Sequence, residues 1–233
     1  MQKYFVEETD GKLPVHVVDM QGPVDVCAMI WSYDELFIAA YTEPEAYHHI
    51  MNIVTNAFIM FWEEQKNLLG DLFVGTHLFG WDWHPQGMGA SLSADSLVMV
   101  SPDFYDEFFK PYLVRIGEKF GGLSVHSCGD FTKVLPRVCA TPTVRAINAS
   151  QLTAKQMVDA GLTKETIAIA TLAYEDAEET FKLIKEHDLR MSLTFYFPYP
   201  VKDKKYVPLE NWSKEDWDNV KKAEDDFFKV KII

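Results

Sequence analysis

Six short strand-like runs alternate with helix signals along this chain, and that alternation limits the fold more than any other feature. The runs cover residues 15–18, 72–75, 124–126, 144–147, 167–170 and 191–195. Between them, Thr42 with Pro44 one turn in opens a helix through His48, Ile50, Val54, Phe58 and Phe61 that stops at Gly70. Ser101-Pro102 opens a second, through Phe104, Phe108, Leu113 and Ile116 to Gly121-Gly122, with Pro111 predicting a kink. Shorter helices are expected after Asp130, over about 153–160 and over about 175–188, and Ser213 with Asp216 forms a capping box for a last one. Strand and helix in alternation favour a parallel sheet with crossover helices. No glycine-rich phosphate loop is present, so the pattern fits part of a (β/α)8 TIM-type barrel of about six βα units better than a nucleotide-binding fold. Residues 80–94 read as a long loop, and residues 1–233 as one domain.

Composition excludes several functions. No apolar run reaches the roughly 18 residues of a membrane span, and the first residues lack the apolar core of a signal peptide. Three cysteines, Cys27, Cys128 and Cys139, are too few for a disulfide framework. A cytoplasmic protein is the expectation. The net charge of −13 argues against a nucleic-acid or anionic-membrane surface, because phosphates require a basic footprint.

Chemistry concentrates at His126-Ser127-Cys128-Gly129. Strand side chains alternate faces, so Ser124, His126 and Cys128 point one way while Leu123 and Val125 point the other. In a barrel the polar face looks into the lumen, and catalytic groups lie at the C-terminal strand ends, where this tetrapeptide falls. An imidazole and a thiol two residues apart can share one metal ion, and zinc accepts both ligand types.

Other candidates surround it. The segment after the second strand carries His77, Trp81, Asp82, Trp83 and His84, two imidazoles and a carboxylate among indoles, as suits a small-molecule pocket. Asp95 reads as an acceptor orienting a metal-bound histidine, as a general acid or base, or as a turn residue. Asn148 and Ser150 either bond a substrate or cap the next helix. Tyr196 and Tyr199 follow the last strand and stand ready to close a pocket. Cys27 and Cys139 read as small buried hydrophobes.

Several stretches together resemble the uroporphyrinogen decarboxylase superfamily over roughly residues 13–200. They are Gln21-Gly22-Pro23, Glu43-Pro44-Glu45-Ala46-Tyr47-His48, Asp95, the run from Met99 to Phe108, and His126-Ser127-Cys128-Gly129-Asp130. The resemblance implies a (β/α)8 barrel. In the superfamily's methyltransferase branch it implies zinc held by the H-x-C pair, here His126 and Cys128, and by a later cysteine. No cysteine follows Cys139, so His77, Asp82, His84, Asp95 or water is left to complete the shell. Asp95 and His77 are the catalytic candidates on this reading. Gln21, Trp81, Asp82, His84, Asn148 and Tyr196 form the expected substrate-binding set.

Against full-length relatives the chain lacks two initial βα units, so open sheet edges covered by another copy or a companion subunit are expected. The leading expectation is a zinc-dependent methyltransferase that activates a thiol for transfer from a corrinoid protein. The alternatives are a decarboxylase-like lyase acting on a tetrapyrrole or polycarboxylate, and a non-catalytic degenerate barrel module. The lyase would want cationic groups for substrate carboxylates. Arg145 and Arg190 are the ones near strands.

Overall fold

A parallel sheet organises the molecule. The structure, a computed structural model, describes residues 1–74, 88–197, 199–202 and 205–229. After helix α1 (Gln2–Glu8), strand β1 (Val15–His16) pairs in parallel with β2 (Phe73–Val74). Between them in sequence lie α2 (Pro23–Trp31), α3 (Tyr33–Thr42) and α4 (Pro44–Leu69). The segment leaving β1 reaches β3 (Ala90–Ser93) through a parallel bridge from Gln21 to Ser93. Then β3, β4 (Leu123–Ser127), β5 (Val144–Ala149), β6 (Ile167–Ala173) and β7 (Met191–Tyr196) pair in chain order, every pair parallel.

Helices fill the connections. The β3–β4 crossover starts at α5 (Pro102–Phe104) and ends as α6 (Lys110–Phe120), while α7 (Leu135–Cys139), α8 (Ala154–Asp159) and α9 (Ala177–His187) serve the later ones. A small antiparallel ribbon, β8 (Val201–Lys202) with β9 (Lys205–Tyr206), precedes α10 (Lys214–Phe227). The result is an α/β fold, a central parallel sheet flanked by helices, barrel-like in order and not closed. Among the described residues no helix is long and apolar enough to cross a membrane.

Two expectations are corrected. The stretch 80–94 is not all loop: Ala90–Ser93 is a wholly buried strand of one alanine, two serines and one leucine, none of them β-branched or aromatic. Thr42 does not cap α4. It closes α3, its hydroxyl donating to the Ile38 carbonyl at 3.1 Å, and Glu43 takes the N-cap position. The break expected around Pro111 is there: a π-turn at Tyr105–Phe109 interrupts the α-helix, and α6 restarts with Pro111 in its first turn. A proline ring collides with the carbonyl four residues back in a regular helix, and the wider π-turn relocates that carbonyl. The Tyr47 hydroxyl donates to the Phe108 carbonyl inside this turn at 2.9 Å.

The caps predicted at Ser101 and Ser213 hold, and Thr153 supplies one more. Ser101 accepts from the Phe104 N–H at 3.1 Å, and Thr153 with Gln156 and Ser213 with Asp216 form complete capping boxes. The core joins sheet to helices: Trp62, Tyr47, Tyr105, Phe109 and Phe131 are its largest fully buried side chains.

Candidate metal centre

Register lines up one row across the sheet. Gln21 bridges Ser93, Ser93 pairs with His126, His126 with Asn148, Asn148 with Ile169 and Ile169 with Ser192. Parallel neighbours in register share a face, so Ser93, His126 and Asn148 project together. Just past Ser93 the chain turns into a 3-10 segment, Asp95–Met99, and just past His126 it reaches Cys128. Three donors of different chemistry therefore meet at the C-terminal ends of β3 and β4.

His126 is 1 % exposed and its two ring nitrogens have separate roles. Nδ1 lies 2.5 Å from the Asn148 side-chain oxygen, while the Asn148 amide donates to the Ile169 carbonyl at 3.0 Å. That second bond fixes which end of the amide is nitrogen, so the oxygen faces the ring and Nδ1 carries the proton. Nε2 then presents its lone pair, 3.2 Å from Cys128 Sγ and 3.6 Å from Asp95 Oδ1. Asp95 Oδ1 also accepts from the Cys128 backbone N–H at 2.7 Å, which clamps the two strand ends together.

Burial raises the Cys128 thiol above its ordinary range; the Ser150 hydroxyl, 3.8 Å away, opposes the rise and the Asp95 carboxylate adds to it. Left alone, the sulfur keeps its proton at neutral pH. A cation shared with Asp95 and His126 reverses this preference, since metal-bound thiols are deprotonated outright.

The donor set fits such a cation. The three ligand atoms all lie within 4.8 Å of one another. Bonds of roughly 2.0–2.3 Å in a tetrahedron separate ligand atoms by about 3.3–3.8 Å, close to the distances from Nε2 to the sulfur and the carboxylate. Thiolate, imidazole and carboxylate are all donors that a divalent transition metal accepts, and three of them would leave one position of a tetrahedron open.

Support comes from behind. Asp25, 1 % exposed on α2, accepts from the Ser96 N–H at 2.9 Å, the Ser96 hydroxyl at 3.0 Å and the Tyr33 hydroxyl at 3.3 Å. It pins the turn that presents Asp95. Gly129 follows Cys128 at φ +80, and a Cβ there would approach Val98 of the same turn to 2.9 Å. Asp19 stands at the rim; burial raises its carboxyl, the His126 ring opposes this and Asp95 adds to it.

The structure thus brings together His126, Cys128 and Asp95 of the sequence candidates. Asn148 is not the cap of the next helix, a place taken by Thr153; buried between β4 and β6, it bonds the imidazole and the Ile169 carbonyl. Gln21 lies in the same row as His126, held by backbone bonds around Ser93. Tyr196 is apart, four residues beyond the row on β7. His77, Trp81, Asp82 and His84 lie outside the described residues. Sequence reasoning missed Asp25 and Asp19. Asp19 lies outside any strand, where alternation gives no signal, and Asp25 looks like an ordinary acid in the first turn of a helix. No family model and no curated protein sequence matches this chain.

Proposed function

We propose that this chain is a metal-dependent methyltransferase of the uroporphyrinogen decarboxylase superfamily, with zinc held by His126, Cys128 and Asp95 and a thiol as methyl acceptor. One observation carries the reading: an oriented imidazole lone pair 3.2 Å from a thiol sulfur and 3.6 Å from a carboxylate oxygen. Zinc, when bound, lowers the pKa of a coordinated thiol, so that a thiolate is available at neutral pH to attack a methyl donor such as a corrinoid protein. The chain's own residues do the rest. Asn148 holds the ring tautomer, Asp95 offsets cationic charge, the Cys128 N–H fixes that carboxylate, and Ser150 donates toward the sulfur.

The arginines favour this reading over a polycarboxylate lyase. Arg145 stands near the start of β5 and Arg190 just before β7, the ends opposite the cluster, and Arg190 is occupied by the Lys164 and Glu165 carbonyls. Arg115 bonds Asn52 and Asn56 on α4, and Arg137 pairs with Asp106.

Elemental analysis after zinc supplementation tests the metal. About one zinc per chain is expected, falling sharply in His126→Ala, Cys128→Ala and Asp95→Ala. A metal-free wild-type chain sinks the proposal. With metal present, zinc-dependent loss of the methyl group of methylcobalamin to a small thiol tests the transfer.

A further inference from the structure

We propose that the aromatic cleft beyond the end of β7 binds a methylated ammonium group, a site separate from the metal centre and independent of the reading above. After Tyr196 the chain passes Phe197 and Tyr199, and the β8–β9 ribbon brings Tyr206 back against Tyr199. These four rings line a cleft of 590 Å³, and no other described residue does.

The walls are set by ring contacts before any ligand arrives. Tyr199 meets Tyr206 at 5.1 Å and 88°, and on another side it meets Trp212 at 4.9 Å and 82°. Phe197 stacks on Tyr174 at 5.5 Å and meets Phe227 edge-on at 5.6 Å. Parallel walls make a slot for a flat ring. Perpendicular walls make a corner suited to a roughly spherical group, and the electron-rich faces of tyrosine attract cations.

The lining also selects among cations. Among the described residues the lining holds no carboxylate or amide, so a primary ammonium would shed water and gain too few partners there. A fully methylated ammonium has no N–H to satisfy. Of the described lysines of the ribbon neither opposes it: Val201 pairs with Tyr206 and Lys202 with Lys205, so alternation places that lysine pair on the other face of the ribbon from Tyr206. The net charge of −13 draws cations toward the surface. Tyr196 lies four residues past the row that contains Ser192 and His126, roughly 13 Å along the strand.

Isothermal titration calorimetry of the full chain reads occupancy for charged, uncharged and aromatic ligands alike. Titration with choline should saturate, at an affinity about tenfold or more above that of its uncharged tert-butyl isostere, the margin that cation–π attraction supplies. Tyr206 is 75 % exposed, so Tyr206→Ala should leave the far-ultraviolet circular dichroism unchanged. It should erase the preference for charge, while Tyr206→Phe keeps it. Equal affinity for choline and the isostere, no saturable choline binding, or tighter binding of planar indole than of choline would each overturn the proposal.

Discussion

Asn148 shows how one buried amide decides what a neighbouring residue can do. Its nitrogen is committed to the Ile169 carbonyl, so its oxygen must accept from His126, and Nε2 faces Cys128 and Asp95. Partners that orient a ligating histidine are typically worth about 10–100-fold in metal affinity. Asn148→Ala should therefore weaken zinc binding by about that factor, read by competition with a chelator, while the three ligands stay in place. Asp25 gives a second residue-scale prediction. Burial lifts its carboxyl from 3.8 to about 6, against the pull of two bonds from Ser96. The folded state then holds a proton more tightly than the unfolded chain. This contribution is full below about pH 4 and is lost as pH rises through about 6, on the order of 3 kcal/mol in all. In Asp25→Asn the amide oxygen can still accept from the Ser96 N–H and the amide nitrogen can donate to the Ser96 hydroxyl. Urea unfolding of both proteins between about pH 4 and pH 7 should show wild type losing stability relative to the variant as pH rises. Parallel curves would mean that Asp25 titrates normally.

At the scale of elements, α4 shows what pattern reading reaches and where it slips. The helix and its stop at Gly70 were legible from Pro44 and from apolar spacing. The face was read through His48, Ile50, Val54, Phe58 and Phe61. The structure buries Tyr47, Met51, Val54, Phe58, Trp62, Gln65 and Leu69 instead. The two faces share Val54 and Phe58 and diverge toward the ends, because so many aromatic and aliphatic residues line this helix that more than one stripe satisfies a helical period. Tertiary packing chooses, and it chooses the larger indole: Trp62 is 1 % exposed and Phe61 47 %. Trp62→Ala should cost about 3–5 kcal/mol, whereas Phe61→Ala should stay within about 0.5 kcal/mol, both measured by denaturant unfolding. The opposite ranking would restore the face read from sequence. Strand β3 escaped for a different reason. Ala90-Ser91-Leu92-Ser93 offers no β-branched or aromatic residue, and its burial comes from neighbours far away in sequence. His126 and Cys128 needed only strand alternation to be seen, but Asp95 needed β3 to be known, since only the pairing of Ser93 with His126 carries it to the thiol.

Across the whole molecule the sheet is graded from a sealed centre to an open side. Every residue of β4 is buried, and so is every residue of β5 but Arg145. In β6 the face continuous with His126 begins to open at Thr171, and in β7 that same face, Ser192, Thr194 and Tyr196, is exposed. The other face of β7 stays partly covered, with Phe195 against Phe181 of α9 and Phe227 of α10. Polarity alone does not mark the gradient: the closed part of this face already carries Ser93, Ser124, His126 and Asn148, and the open part Ser192, Thr194 and Tyr196. Alternation along 191–195 was visible in the sequence, but it does not reveal that the polar side is the one a closed barrel would seal. Strands opened by small, local fluctuations lose amide protection first, and central strands lose it only on global unfolding. Hydrogen exchange at the backbone amides of Val125, Ile147 and Asn148 should thus report the global stability, while those of Leu193 and Thr194 exchange faster by an order of magnitude or more. The same gradient predicts unequal tolerance of added bulk. Ala146→Leu, at a wholly buried position beside Ser124, overpacks the closed end and should cost about 1–3 kcal/mol. Thr194→Leu projects into open space and should change stability by about 0.5 kcal/mol or less. If slow exchange extended through β7 and both substitutions proved equally costly, the wall beyond β7 would be sealed in solution, and the open side would belong to a larger assembly that completes the cylinder.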